Sequence, residues 1–182
     1  GVLVIDVSDP GAPVIAGSLD TPGSAVDIAV HGSYAYVGHT GGVGGGWGRL
    51  QIIDVGNPAS PKLVSTIGED GASMRGVAVA ERGTPPRPLL YVVATGNVPG
   101  FYIVDVSNPA SPVILANLTE GGGTEVAVSG DWAYELSGAL TAIDVSDPRS
   151  PRVTGWVPIY SAYGVAVSGR YVYLAADANG LQ

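Results

Sequence analysis

Ile53-Asp54-Val55-Gly56-Asn57-Pro58 is one of four near copies of a single phrase, and that phrase decides the fold. The others are Ile5-Asp6-Val7-Ser8-Asp9-Pro10, Val104-Asp105-Val106-Ser107-Asn108-Pro109 and Ile143-Asp144-Val145-Ser146-Asp147-Pro148. A second proline trails each copy (Pro13, Pro61, Pro112, Pro151). An apolar triplet centred on alanine (Ala29, Ala78, Ala127, Ala166) lies 22 to 24 residues past each aspartate. Repetition at roughly 40 to 50 residues marks a solenoid, a propeller or an array.

Four apolar runs of strand length fill each unit, rich in Val, Ile and Tyr. Run A holds the alanine triplet, as in Val26-Asp27-Ile28-Ala29-Val30. Run B is Tyr34-Ala35-Tyr36-Val37 and its relatives, among them Trp132-Ala133-Tyr134. Run C ends in Ile-Asp-Val, and run D follows the second proline, as in Lys62-Leu63-Val64. Hairpin turns such as His31-Gly32-Ser33 and Ser129-Gly130-Asp131 join A to B. In the second unit an insertion, Arg82-Gly83-Thr84-Pro85-Pro86-Arg87-Pro88, takes that place. C joins D through the Asx-Pro turn, where proline sets φ and the Asx side chain accepts a backbone N–H.

A proline at the entrance to run D is tolerated on an outermost strand. The constant small residue of run A suits a strand near a crowded axis. Leu50-Gln51-Ile52-Ile53 and Leu89-Leu90-Tyr91-Val92-Val93 are apolar on consecutive residues, as in strands covered on both faces. The expectation is an all-β chain: a β-propeller of four-stranded antiparallel blades, about four repeats being present, and part of a larger propeller. The single repeat domain spans 1–182, with blades near 24–68, 75–118 and 124–157 and an incomplete one at 163–182. Residues 1–20 supply the outer strands of a further blade. The two ends overlap in phase, so missing blades, or partner chains covering open blade edges, are expected.

Composition narrows the function. Hydrophobic residues make up 46% of the chain and charged residues 13%, with 28 Gly and 14 Pro, a balance suited to short strands and tight turns. Mean hydropathy is +0.30, yet no run approaches the ~18 apolar residues of a spanning helix, and no membrane insertion is expected. A net charge of −8 with no basic cluster disfavours nucleic acid. The absence of cysteine excludes disulfides and thiol chemistry.

The run of Ile-Ile-Asp-Val-Gly-Asn-Pro, Val-Ala-Val-Ser-Gly and Tyr-Ala-Tyr-Val resembles the LVIVP repeat over essentially the whole chain. The resemblance implies a β-propeller unit and a secreted or cell-surface protein. It implies no activity, because propellers host many.

No residue set commits the chain to a reaction. Asp6, Asp54, Asp105 and Asp144 invite a metal or acid–base reading, but a residue recurring at one strand end in every blade serves a turn there. Asp177-Ala178-Asn179-Gly180 opens like a calcium loop and lacks the later acidic ligands. Gly41 to Gly48 has the composition of a phosphate loop without its lysine. Catalytic residues, metal ligands and cofactors are therefore all assigned as none. The copies differ at the end of the blades carrying the B–C and D–A loops, where binding sites are usually carried. His39, Trp47, Asp70, Arg75, Tyr160 and Tyr163 are the candidates there. The expected function is a non-enzymatic extracellular or cell-surface module for protein or glycan interaction, or for structural assembly. The alternative is a metal-assisted hydrolase or lyase with its site at the propeller mouth.

Overall fold

The computed structural model describes residues 1–40, 48–68, 72–159 and 161–176, and the backbone of 180–181. Strands β1 (Val2–Asp6) and β2 (Val14–Leu19) form a two-stranded sheet. Strands β3 (Ser24–His31), β4 (Tyr34–Thr40), β5 (Leu50–Asp54) and β6 (Lys62–Ile67) form the first complete blade. The second comprises β7 (Ala72–Arg82), β8 (Arg87–Gly96), β9 (Gly100–Asp105) and β10 (Val113–Leu118). The third comprises β11 (Glu125–Ser129), β12 (Trp132–Leu136), β13 (Ala139–Asp144) and β14 (Arg152–Pro158). Strands β15 (Ala162–Ser168), β16 (Tyr171–Ala176) and β17 (Gly180–Leu181) form a three-stranded sheet. Every pairing is antiparallel and follows chain order, and no helix occurs among the described residues.

The expected runs A to D are thus the four strands of each blade, with one correction. The insertion expected to replace the second A–B turn is largely ladder: Arg82, Arg87 and Pro88 belong to strands rather than to a loop. The ladder continues through Glu81–Pro88 to Arg82–Arg87, leaving 83–86 as the connection. Side-chain ties hold the extension: Arg82 Nε donates to the Tyr91 hydroxyl at 3.0 Å, and Arg87 Nη1 to Asp105 Oδ2 at 2.9 Å.

Cross-strand pairing gives the constant alanine of run A a specific cause. Ala29, Ala78, Ala127 and Ala166 stand opposite Tyr36, Tyr91, Tyr134 and Tyr173. A methyl beside a phenol ring leaves room for the ring on the same sheet face. The unmodified A–B turns use Gly32, Gly130 and Gly169 at φ of 57°, 53° and 58°, a left-handed conformation that glycine adopts without a Cβ clash.

The cores lie between successive sheets. In β8, Leu90, Val92 and Ala94 join Tyr36, Leu50 and Ile52 of the preceding blade. Leu89, Tyr91 and Val93 join Val126, Ala133 and Ile143 of the following one. Alternate residues of one strand feed two cores, so an unbroken apolar run is what this position demands. Strand β3 packs on β7, β7 on β11, and β11 on β15, so the A strands converge from blade to blade as the inner edge of a propeller. Among the described residues the sheets do not close into a ring: β1–β2 pairs with no strand of the last sheet.

Candidate functional site

The repeated acids hold the turns that end each C strand. Asp6, Asp54, Asp105 and Asp144 accept, through Oδ1, the N–H of the residue two further on, at 2.9, 2.8, 3.0 and 2.9 Å. Asp9, Asn57, Asn108 and Asp147 repeat the device three residues later, accepting from Gly11, Ala59, Ala110 and Arg149 at 2.9 to 3.2 Å. Two consecutive Asx turns thus reverse the chain in every unit. The electrostatics agree. The Ser8 backbone N–H is the main influence holding Asp6 below the usual carboxylate range, and the Ser146 hydroxyl that for Asp144. For Asp105, burial pushes upward but is outweighed by Ser107 and Arg87, so the net shift is downward.

At the opposite end, loops of the second and third blades and the entrance to β15 enclose a cleft of about 490 Å³. Thr95, Gly122, Ser137 and Tyr163 are among its walls. Tyr163 is 68% exposed. Arg75 is also exposed, and its Nε donates to the hydroxyl of wall residue Thr95 at 3.2 Å. Of the candidate partner-binding residues, Tyr163 lines the cleft, and Arg75 bonds to one of its walls. Trp47, Asp70 and Tyr160 lie outside the described residues, as do 177–179 of the calcium-like segment.

His39 is corrected. It belongs to β4 and is 1% exposed, so it cannot meet a partner on the surface. The sequence places it at a loop mouth, but β4 continues to Thr40, and Gly23 and Gly48 close over it. Burial above all, helped by the positive N-terminus, holds its imidazole below the ordinary value, against the upward pull of Gln51.

Glu135 lies beneath the cleft, at a position that the candidate residues do not include. It stands where the other copies carry Val37, Val92 and Leu174, and it is buried among them in kind. Its Oε2 accepts the N–H of Gly122 at 3.1 Å and so anchors the wall of the cleft from beneath. Burial pushes its carboxyl up, the Gly122 hydrogen bond opposing. The signal was present as a charged residue at an apolar position of run B. Asp27, within run A, is not among the candidates either; its Oδ2 accepts the N–H of Val77 at 2.7 Å and joins two blades.

At the turn-rich end a second cleft, of about 440 Å³, opens between the insertion and the Asx-Pro turn of the third blade. Arg82 lines it, paired with Asp131 at 3.4 Å. Among the described residues no three His, Asp or Glu side chains gather as metal ligands.

The LVIVD repeat matches residues 1–21, 22–68, 90–119, 120–157 and 161–182. The LVIVP repeat that the sequence resembles is a minor variant of that name. The longer of the two unmatched stretches, 69–89, contains the elongated β7 and the insertion, where the chain departs most from its own period. No curated protein matches the chain. The matched segments cover most of the 182 residues and, except for the one that begins at 90 inside β8, start between one sheet and the next; by that coverage the chain belongs to the LVIVD repeat family.

Proposed function

We propose that this chain is a non-enzymatic recognition module of an extracellular or cell-surface protein, binding a protein or glycan partner through the cleft at its variable end. The observation that carries the reading is the placement of Tyr163: a largely exposed ring at the rim of a cleft whose walls come from three successive sheets. Exposed tyrosine offers a stacking face for a sugar or a peptide side chain at small entropic cost, and the Thr95 and Ser137 hydroxyls supply polar contacts beside it. Repeated strands make the platform rigid, while the loops vary without disturbing it.

Binding to an immobilised glycan and peptide panel tests the cleft. Tyr163→Ala is expected to weaken the best ligand by about tenfold or more, with the melting temperature unchanged because the ring lies in solvent. Equal binding by variant and parent, or no ligand on the panel, sinks the reading. Antibody labelling of intact source cells tests location: signal only after permeabilisation excludes the surface assignment.

A further inference from the structure

The cleft at the turn-rich end is built by a feature that the repeat does not require. Strands β7 and β8 run to eleven and ten residues, against five each in β11 and β12, so the second hairpin overhangs the A–B turn of the third blade. Both blades are complete four-stranded sheets. Pro86, on the connection of that hairpin, and Pro148, in the Asx-Pro turn of the third blade, are apolar walls. Glu81, Arg82, Arg87 and Asp131 are the charged ones. Two acids and two arginines cancel, so the cleft is rich in charge and carries none in sum.

Arg82 is the fixed group. Its Nε donates to the Tyr91 hydroxyl at 3.0 Å, and its guanidinium carbon lies 5.9 Å from the centre of the Tyr91 ring. The outer edge of the guanidinium is poorly matched. Nη2 is shut from solvent with no hydrogen-bond partner among the described residues, and Nη1 reaches Asp131 Oδ1 at 3.4 Å. A strong guanidinium–carboxylate contact lies at about 2.7–2.9 Å and engages two nitrogens side by side. The other charged walls are already engaged: Arg87 Nη1 bonds Asp105 at 2.9 Å, and Glu81 meets His31 of the first blade at 3.4 Å. Asp131, with a side chain 69% exposed, has room to turn outward. The pair of Arg82 and Asp131 is the one that a ligand can open.

We propose that this cleft binds a free α-amino acid, which parts Arg82 from Asp131. As Asp131 turns outward, the ligand carboxylate takes Nη1 and Nη2 together, and its ammonium takes the Asp131 carboxylate. An apolar side chain then lies between Pro86 and Pro148. Charge selects this class of ligand. An anion alone would satisfy Arg82 and be repelled by Asp131, and a cation alone would meet the reverse. A zwitterion replaces one long ion pair with two short ones and leaves the sum of charge in the cleft unchanged. The volume of about 440 Å³ falls among small-molecule sites, at about 300–1,000 Å³. Tyr91 holds the guanidinium in place before the ligand arrives, which lowers the ordering cost of binding. The site stands apart from the Tyr163 cleft at the other end of the blades.

Titration of the isotope-labelled chain with L-leucine and L-phenylalanine, followed by nuclear magnetic resonance, is expected to give saturable shifts at the Gly83 and Asp131 amides. N-acetyl-L-leucine lacks the ammonium and L-leucinamide lacks the carboxylate, and each is expected to bind at least about tenfold more weakly than L-leucine. Asp131→Asn is expected to weaken L-leucine by about tenfold and to leave N-acetyl-L-leucine unchanged. Its melting temperature is expected to change little, because the turn is held by the Asp131 backbone carbonyl, which accepts the N–H of Val145 at 2.9 Å. Arg82→Lys keeps the charge and loses the fork, so it is expected to weaken both ligands. No saturable shift with either amino acid overturns the proposal, as does equal binding of L-leucine and either analogue. Unchanged L-leucine binding by Asp131→Asn overturns it equally.

Discussion

Glu135 shows most clearly how one residue departs from the repeat for a local purpose. A carboxylate in place of an apolar side chain costs desolvation, offset in part by the hydrogen bond from Gly122. Its raised value means that its contribution to stability is fully present below the ordinary carboxylate value of about 4.3 and is lost as pH rises through the folded-state value. Glu135→Gln keeps an acceptor for Gly122 and removes the charge. It is expected to stabilise the chain at neutral pH, on the order of 1 kcal/mol, and to be indistinguishable from the parent below the carboxylate range. Denaturant midpoints across a pH series measure this, and a variant less stable than the parent at pH 7 refutes it. Comparing parent with variant also separates Glu135 from His39. The lowered value of His39 gives the opposite slope, with stability present above the imidazole's unfolded value and lost as pH falls.

At the scale of the element, the bulge in every C–D pair and the small residue behind it form one device. The bulge twists the outer strand, and the small side chain lets the next Asx-Pro turn approach backbone to backbone. Gly17→Val is expected to destabilise the chain by about 2 kcal/mol or more, since the Pro58 turn is backbone and cannot yield as a side chain would. Gly155→Val, at the same repeat position but with nothing near its Cβ, is expected to fall within about 0.5 kcal/mol of the parent. Urea unfolding at high dilution compares the two, and equal losses would show that the turn is not what requires a small residue. The strands themselves were legible from the run of Val, Ile and Tyr, and so was the turn role of the repeated acids. Hidden from that reading was the extended hairpin of β7 and β8, because its continuation depends on Arg82 reaching Tyr91 and Arg87 reaching Asp105 across the sheet.

For the whole molecule, coverage falls from the centre of the arc to its ends. Strands β8 and β9 feed the cores on both faces of their sheet, whereas β14 is exposed throughout and β16 keeps a nearly free edge. Stability of a stacked array follows such nearest-neighbour contacts. Hydrogen exchange is expected to protect β8 and β9 most and β14 to β16 least, and uniform protection along the chain would contradict a stack built of pairwise interfaces. The sequence by itself determined the repeated unit: four strands, their order, two Asx turns and the alanine of the inner strand. All of these arise from bonds and contacts within one unit, where the interacting residues are near in sequence or opposite on a ladder. Only the tertiary structure decided that His39 and Glu135 are buried, that Tyr163 lines a cleft whose wall residue Thr95 is held by Arg75, and that Gly17 is closed over while Gly155 lies open. The last two are the same letter at the same place in the repeat. Burial belongs to the neighbouring blade, and no residue carries that neighbour in its own sequence position.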